Sequence, residues 1–144
     1  IMIEIDTIRL LRECDKGIKM GISSIDEVWA YVQNERLKSA LNICKDQHNN
    51  LNIEIQKLLE KYHMEKPKSN FWITLMSKWK IKWRMLFKRN DKTIIYLMIE
   101  GCKMGIKSLN KYLQQYQAAS EKSKNITKKL VQIEQNLIDE LSVL

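Results

Sequence analysis

Apolar residues recur along this chain in steps of three, four and seven, the spacing that gathers side chains on one face of an α-helix. From Ile8 the stripe runs through Leu11, Ile18, Ile22, Ile25 and Trp29 to Val32. Asp15 interrupts it, standing where an apolar residue is due between Leu11 and Ile18. A second stripe carries Leu37, Leu41, Cys44, His48, Leu51, Ile55, Leu58 and Tyr62. It ends ahead of Pro67, whose missing N–H and fixed ring stop a helix. Two further stripes follow, through Ile95, Ile99, Cys102, Ile106, Leu109, Leu113 and Tyr116, and through Ile126, Leu130, Ile133, Leu137, Leu141 and Leu144. Between them and Pro67, residues Trp72, Leu75, Met76, Trp79, Trp83, Leu86 and Phe87 share an arc of roughly 120° on a helical projection.

These patterns predict helices over about 6–32, 34–64, 70–89, 92–118 and 122–144, forming a single domain. Asp6 or Thr7 suits the first N-cap, Asn34 the second, and Asn90-Asp91 the start of the fourth helix, because a short side-chain oxygen there accepts from a free backbone N–H. No stretch alternates with the two-residue period of a half-buried strand. The composition, with only 4 Gly and 1 Pro in 144 residues, agrees with an all-α chain and against a turn-rich β fold.

Charge changes the picture by its position. Lys and Arg number 25 against 17 Asp and Glu, a net charge of +8. Residues 66–92 hold nine of the bases and one acid, Asp91, so the rest of the chain is neutral. That segment also holds three of the four tryptophans and both phenylalanines. The favoured expectation is a helix whose aromatic arc packs on the bundle and leaves a solvated basic face. Alternatively, Trp72, Trp79 and Trp83 with Lys78, Lys82 and Arg84 offer a surface for an anionic membrane, a protein partner or a homodimer. Nucleic acid fits worst, since aromatics that line a core cannot also stack on bases.

The three cysteines, Cys14, Cys44 and Cys102, are odd in number and far apart, which suits a reducing compartment better than a disulfide framework. No apolar run is long enough to span a membrane, and Ile1–Asp6 lacks the basic start of a secretory leader. A cytoplasmic location is the expectation.

Two segments repeat. Lys16-Gly17-Ile18-Lys19-Met20-Gly21-Ile22 and Glu100-Gly101-Cys102-Lys103-Met104-Gly105-Ile106 share Gly, Lys, Met, Gly and Ile in the same order, and they contain every glycine of the chain. Glycine within a helix costs about 1 kcal/mol relative to alanine, so the four need a reason. The expectation is close helix–helix packing across two small-residue patches. A phosphate-cradling role is disfavoured, because the glycines sit mid-helix.

Duplicated helix pairs joined by a long connection resemble the ferritin-like superfamily, in the form of a small bacterial bundle with a degraded di-iron ligand set. The resemblance implies an antiparallel four-helix bundle with residues 70–89 as an additional crossover helix between bundle helices 2 and 3. It also implies a Glu from each of two helices and a Glu-x-x-His from each of the others as metal ligands. Glu100 and Glu134 match ligand positions, Asp46 or His48 matches incompletely, and Lys16 and Leu137 depart from the pattern. The literal match Glu60-x-x-His63 lies about 18 Å along the helix from residue 48, too far from Glu100 to share a metal.

A charged lysine cannot ligate a cation, so no metal and no cofactor are expected. Instead Lys16, Asp15, Asp46, Glu100 and Glu134 are expected to form a salt-bridged relic of the site. His48 is expected to be a packed or hydrogen-bonded core residue. Iron or manganese on Glu100, Glu134, Asp46 and His48 is the alternative, and Cys44 and His48 with Cys14 or Cys102 make a weaker zinc set. No catalytic constellation stands out. The expected function is a non-enzymatic binding or scaffold protein, with a metal-binding or oxidative-stress protein and a peripheral membrane protein as alternatives.

Overall fold

The computed structural model describes residues 2–62 and 89–144. Within them the chain forms four helices: α1 Met2–Val28, α2 Glu35–Lys61, α3 Asp91–Gln115 and α4 Glu121–Ser142. A 3₁₀ turn, Trp29–Tyr31, follows α1, and no strand occurs among the described residues. The architecture is an all-α helical bundle. α1 packs on α2 and α3, α4 packs on α2 and α3, and α1 also touches α4 across the centre. The helix expected over 70–89, with Trp72, Lys78, Trp79, Lys82, Trp83 and Arg84, lies outside the described residues, as does His63.

Three of the helix starts follow local chemistry. The Asn34 side chain accepts from Leu37 N at 3.0 Å, Asn90 accepts from Thr93 N at 2.9 Å, and Ser120 accepts from Ser123 N at 3.2 Å. Each satisfies an N–H that has no partner within its own helix.

The first start differs from expectation. α1 begins at Met2, so Asp6 and Thr7 lie inside the helix and are buried. Their oxygens serve a distant turn: Asp6 Oδ2 accepts from Ala118 N at 3.2 Å and Thr7 Oγ1 from Ser120 N at 2.8 Å. They satisfy backbone donors of the α3–α4 link instead of their own helix end. At the other end of the bundle Asp91 does the equivalent, its two oxygens accepting from Gln33 N at 2.8 Å and Asn34 N at 2.9 Å.

The α2 stripe is buried from Leu37 through Leu41, Cys44, His48 and Leu51 to Ile55, while its last two positions, Leu58 and Tyr62, are half-buried. Two other stripes shift. On α1 Leu10 and Cys14 are fully buried, while Trp29 is exposed because the tighter 3₁₀ turn rotates it off the helical face. On α3 Ile94 and Met98 point inward, with Ile95 and Ile99 half-buried. That helix is apolar over so wide an arc that periodicity alone does not choose its inner line.

Among the described residues the core falls into two clusters. One gathers Ile25, Leu37, Leu41, Ile94, Met98 and Leu141, and the other Leu11, Ile18, Leu51, Ile55, Ile126 and Leu130. His48 lies between Cys44 of the first and Leu51 of the second along α2; Glu134 lies between Leu130 and Leu137 along α4. A polar level thus divides the apolar interior.

Candidate functional site

At that level His48 is 1% exposed and Glu134 12% exposed, and His48 Nε2 stands 3.1 Å from Glu134 Oε1. The other ring nitrogen, Nδ1, is 2.7 Å from the carbonyl oxygen of Cys44, one turn earlier on α2. A carbonyl can only accept, so Nδ1 donates; a carboxylate also accepts, so Nε2 donates too. The ring is therefore an imidazolium. Burial by itself pushes its pKa down, but the Cys44 side chain and the Glu134 carboxylate outweigh that and hold it up at about 10.

Two thiols join this level. Cys44 Sγ lies 3.5 Å from His48 Nδ1. Cys102, from α3, is pushed far up by burial and by Glu134, to which its thiol is hydrogen-bonded. Cys14, deeper toward the other end, is held at about 11 by burial, and its sulfur lies 3.2 Å from Thr127 Oγ1. All three cysteines are free and buried. Cys14 and Cys102, raised in apolar surroundings, are poor nucleophiles and poor ligands.

The polar pair forms one wall of a cavity of about 330 Å³ lined by all four helices. Gly17 and Gly21 of α1, Gly101 and Gly105 of α3, and Met20, Leu97, Met98, Met104, Leu109 and Leu137 supply most of its surface. This corrects the expectation of close packing between the glycine patches: both patches border open space. A Cβ on Gly21 would lie 2.9 Å from His48 Nε2, and one on Gly105 would lie 3.4 Å from Glu134 Oε2. The repeat therefore makes room for the polar pair and for the cavity in front of it. At the rim Lys16 pairs with Glu13 at 3.2 Å, and Tyr112 is raised by burial and by its bond to Glu13.

A wider groove of about 600 Å³ runs between α2 and α4 past Ile43, Asn136 and Val143. Its charged residues, Arg36, Asp139 and Glu140, are all exposed, so it lacks a buried polar centre.

The expected salt-bridged relic is not the cluster that forms. Glu134 takes its counter-charge from His48. Asp15 accepts from Lys19 at 2.7 Å and from Gln56 at 3.0 Å, which explains a carboxylate within the α1 stripe. Asp46 is exposed, because two residues from His48 carry it about 200° round α2. Glu100 is half-exposed and 3.7 Å from Lys103. Of the residues named for iron or manganese, the structure brings together only His48 and Glu134; of those named for zinc, Cys44 and Cys102 stand beside that pair, while Cys14 meets Thr127 instead.

Those residues do not fit a di-metal centre. Asp46 is exposed on another face of α2, and Glu100 turns to Lys103, so two of the four named ligands stand away from His48 and Glu134. Among the described residues no group of three His, Cys, Asp or Glu is placed to hold a metal ion. Nor is any described helix long and apolar enough to cross a membrane.

No protein-family model, no curated protein and no solved structure matches the chain.

Proposed function

We propose that this chain is an antiparallel four-helix bundle of ferritin-like plan, and that it acts as a non-enzymatic binding protein through its glycine-lined cavity. Support for the plan comes from the pairing of positions. Asp15 meets Gln56 while Asp26 meets Lys45, so α2 descends as α1 rises. His48 meets Glu134 while Lys129 faces Glu54, which sets α4 against α2 in the same sense.

The observation that carries the functional reading is the His48–Glu134 pair in the cavity wall. A ferritin-like centre balances its inward carboxylates with metal cations. Here Glu134, the carboxylate in the cavity wall at the bundle centre, is balanced by a protonated histidine, which leaves an apolar, electrically neutral hollow. Catalysis has little to work with at this place: both His48 nitrogens are engaged as donors, so the ring supplies no base, and the Cys102 thiol is held protonated.

Metal analysis of the full chain, purified without chelator, tests the reading. Protein with well under one equivalent of transition metal supports it. About two equivalents of iron or manganese per chain overturn it in favour of a metal-handling bundle.

A further inference from the structure

We propose that the cavity binds a small neutral molecule with an apolar body and a single hydroxyl or N–H donor, which it directs at Glu134. The inference rests on the binding-protein reading above and names the ligand chemistry of that site.

Size sets the first limit. A cavity of roughly 150 Å³ in a protein interior accepts benzene. The hollow here, about 330 Å³, accepts a body of about twice that size, a fused two-ring aromatic or a medium-length alkyl chain. The methionine and leucine lining offers such a body van der Waals contact without fixed polar partners.

Charge sets the second limit. The cavity's ionised side chains pair off, Glu13 with Lys16 at 3.2 Å and Glu134 with His48 at 3.1 Å. A ligand carrying its own net charge would be desolvated against a neutral wall, at a cost nothing there offsets. A neutral ligand avoids it.

Hydrogen-bond capacity chooses the head group. An ionised carboxylate offers about four acceptor positions. Glu134 accepts from His48 and Cys102, which leaves capacity on a group that is 12% exposed. The Oε2 oxygen faces Gly105, where the missing Cβ leaves an approach open. The imidazolium donates both of its protons elsewhere and has none for a ligand. At the His48–Glu134 pair the wall therefore accepts from a ligand and does not donate to one. A hydroxyl or an N–H satisfies it, whereas an ether or ester oxygen does not.

The test compares two probes of nearly equal shape on the full chain at pH 7, by calorimetry and by ligand-to-methyl NMR contacts. They are 2-naphthol, which donates, and 2-methoxynaphthalene, which cannot. The expected result is one 2-naphthol per chain, in contact with the methyls of Met104 and Leu109, bound about tenfold or more tightly than the ether. Gly105→Ala, which fills the approach to Oε2, is expected to remove that preference while helicity is retained. Equal affinity for the two probes, tighter binding of 2-naphthoate, contacts at other methyls, or no binding overturns the inference. So does an unchanged preference in a folded Gly105→Ala. The wild-type comparison decides the matter even if that variant fails to fold. Metal-free protein that ignores 2-naphthol sinks this inference alone, whereas stoichiometric iron or manganese sinks the reading beneath it.

Discussion

His48 and Glu134, 86 positions apart in the chain, face each other at 3.1 Å in the middle of the bundle, and each is held there for the other's charge. The Cys44 carbonyl fixes His48 from behind, so the imidazolium cannot turn away without losing a second bond. This couple replaces apolar packing at the one level where the two core clusters are parted.

The protonation state follows directly. At pH 8 an ordinary histidine is neutral, but His48 is expected to carry protons on both ring nitrogens. Nitrogen chemical shifts from a histidine-labelled sample read this, and a single protonated nitrogen at pH 8 would contradict the arrangement.

Stability should depend on pH in a definite direction. The folded pKa of His48 is raised, to about 10 from an unfolded value near 6.5. The contribution is then complete below about pH 6.5 and is lost as pH rises toward 10. Urea denaturation across that range should show stability falling in wild type, with a shallower fall in His48→Gln. Parallel curves for the two proteins would count against the assignment.

Removing one partner should hurt more than removing both. Glu134→Ala leaves a buried cation unpaired, for a loss of about 3–5 kcal/mol. The double variant His48→Leu with Glu134→Leu removes both charges and puts apolar groups beside the cavity, so it should regain much of that loss. A double-mutant cycle by chemical denaturation checks it, and strictly additive losses would refute the coupling.

Two glycines one helical turn apart should respond oppositely to alanine. A Cβ at Gly17 meets only Leu130 Cδ2, at 3.9 Å, so Gly17→Ala should stabilise by up to about 1 kcal/mol through helix propensity. At Gly21 the new methyl would lie 2.9 Å from His48 Nε2, so Gly21→Ala must displace the imidazole and should destabilise. Melting temperatures of the two variants compare them directly.

Asp91 ties the start of α3 to the α1–α2 link through two backbone N–H groups. Asp91→Ala should cost about 1–2 kcal/mol, with faster amide exchange at Gln33 and Asn34. Asp91→Asn keeps one carbonyl acceptor and should fall between the two.

Much of this bundle was legible before folding, because some determinants are local. The caps at Asn34 and Asn90 need only a side-chain oxygen and an N–H three residues on. From Leu37 to Ile55 the α2 stripe is buried as its spacing foretold, since its polar side is unambiguous. Asp6 and Thr7 misled for the same reason: as short polar residues near a helix start they read as caps. Their partners, Ala118 and Ser120, lie more than a hundred positions away.

The candidate site divides in the same way. Sequence alone determined the four described helices, the buried face of α2 from Leu37 to Ile55, and the presence of Glu134, His48 and the four glycines on those helices, because spacing along a helix is fixed by its geometry. Only the tertiary structure decided that His48 neutralises Glu134, that Asp15 turns to Lys19 and Gln56, and that the glycines border a hollow. Those outcomes depend on which faces of four helices meet, and on distances of a few tenths of an ångström between groups remote in sequence. Hydrogen-bond geometry and burial, which set the charge on His48, exist only once the helices are packed together.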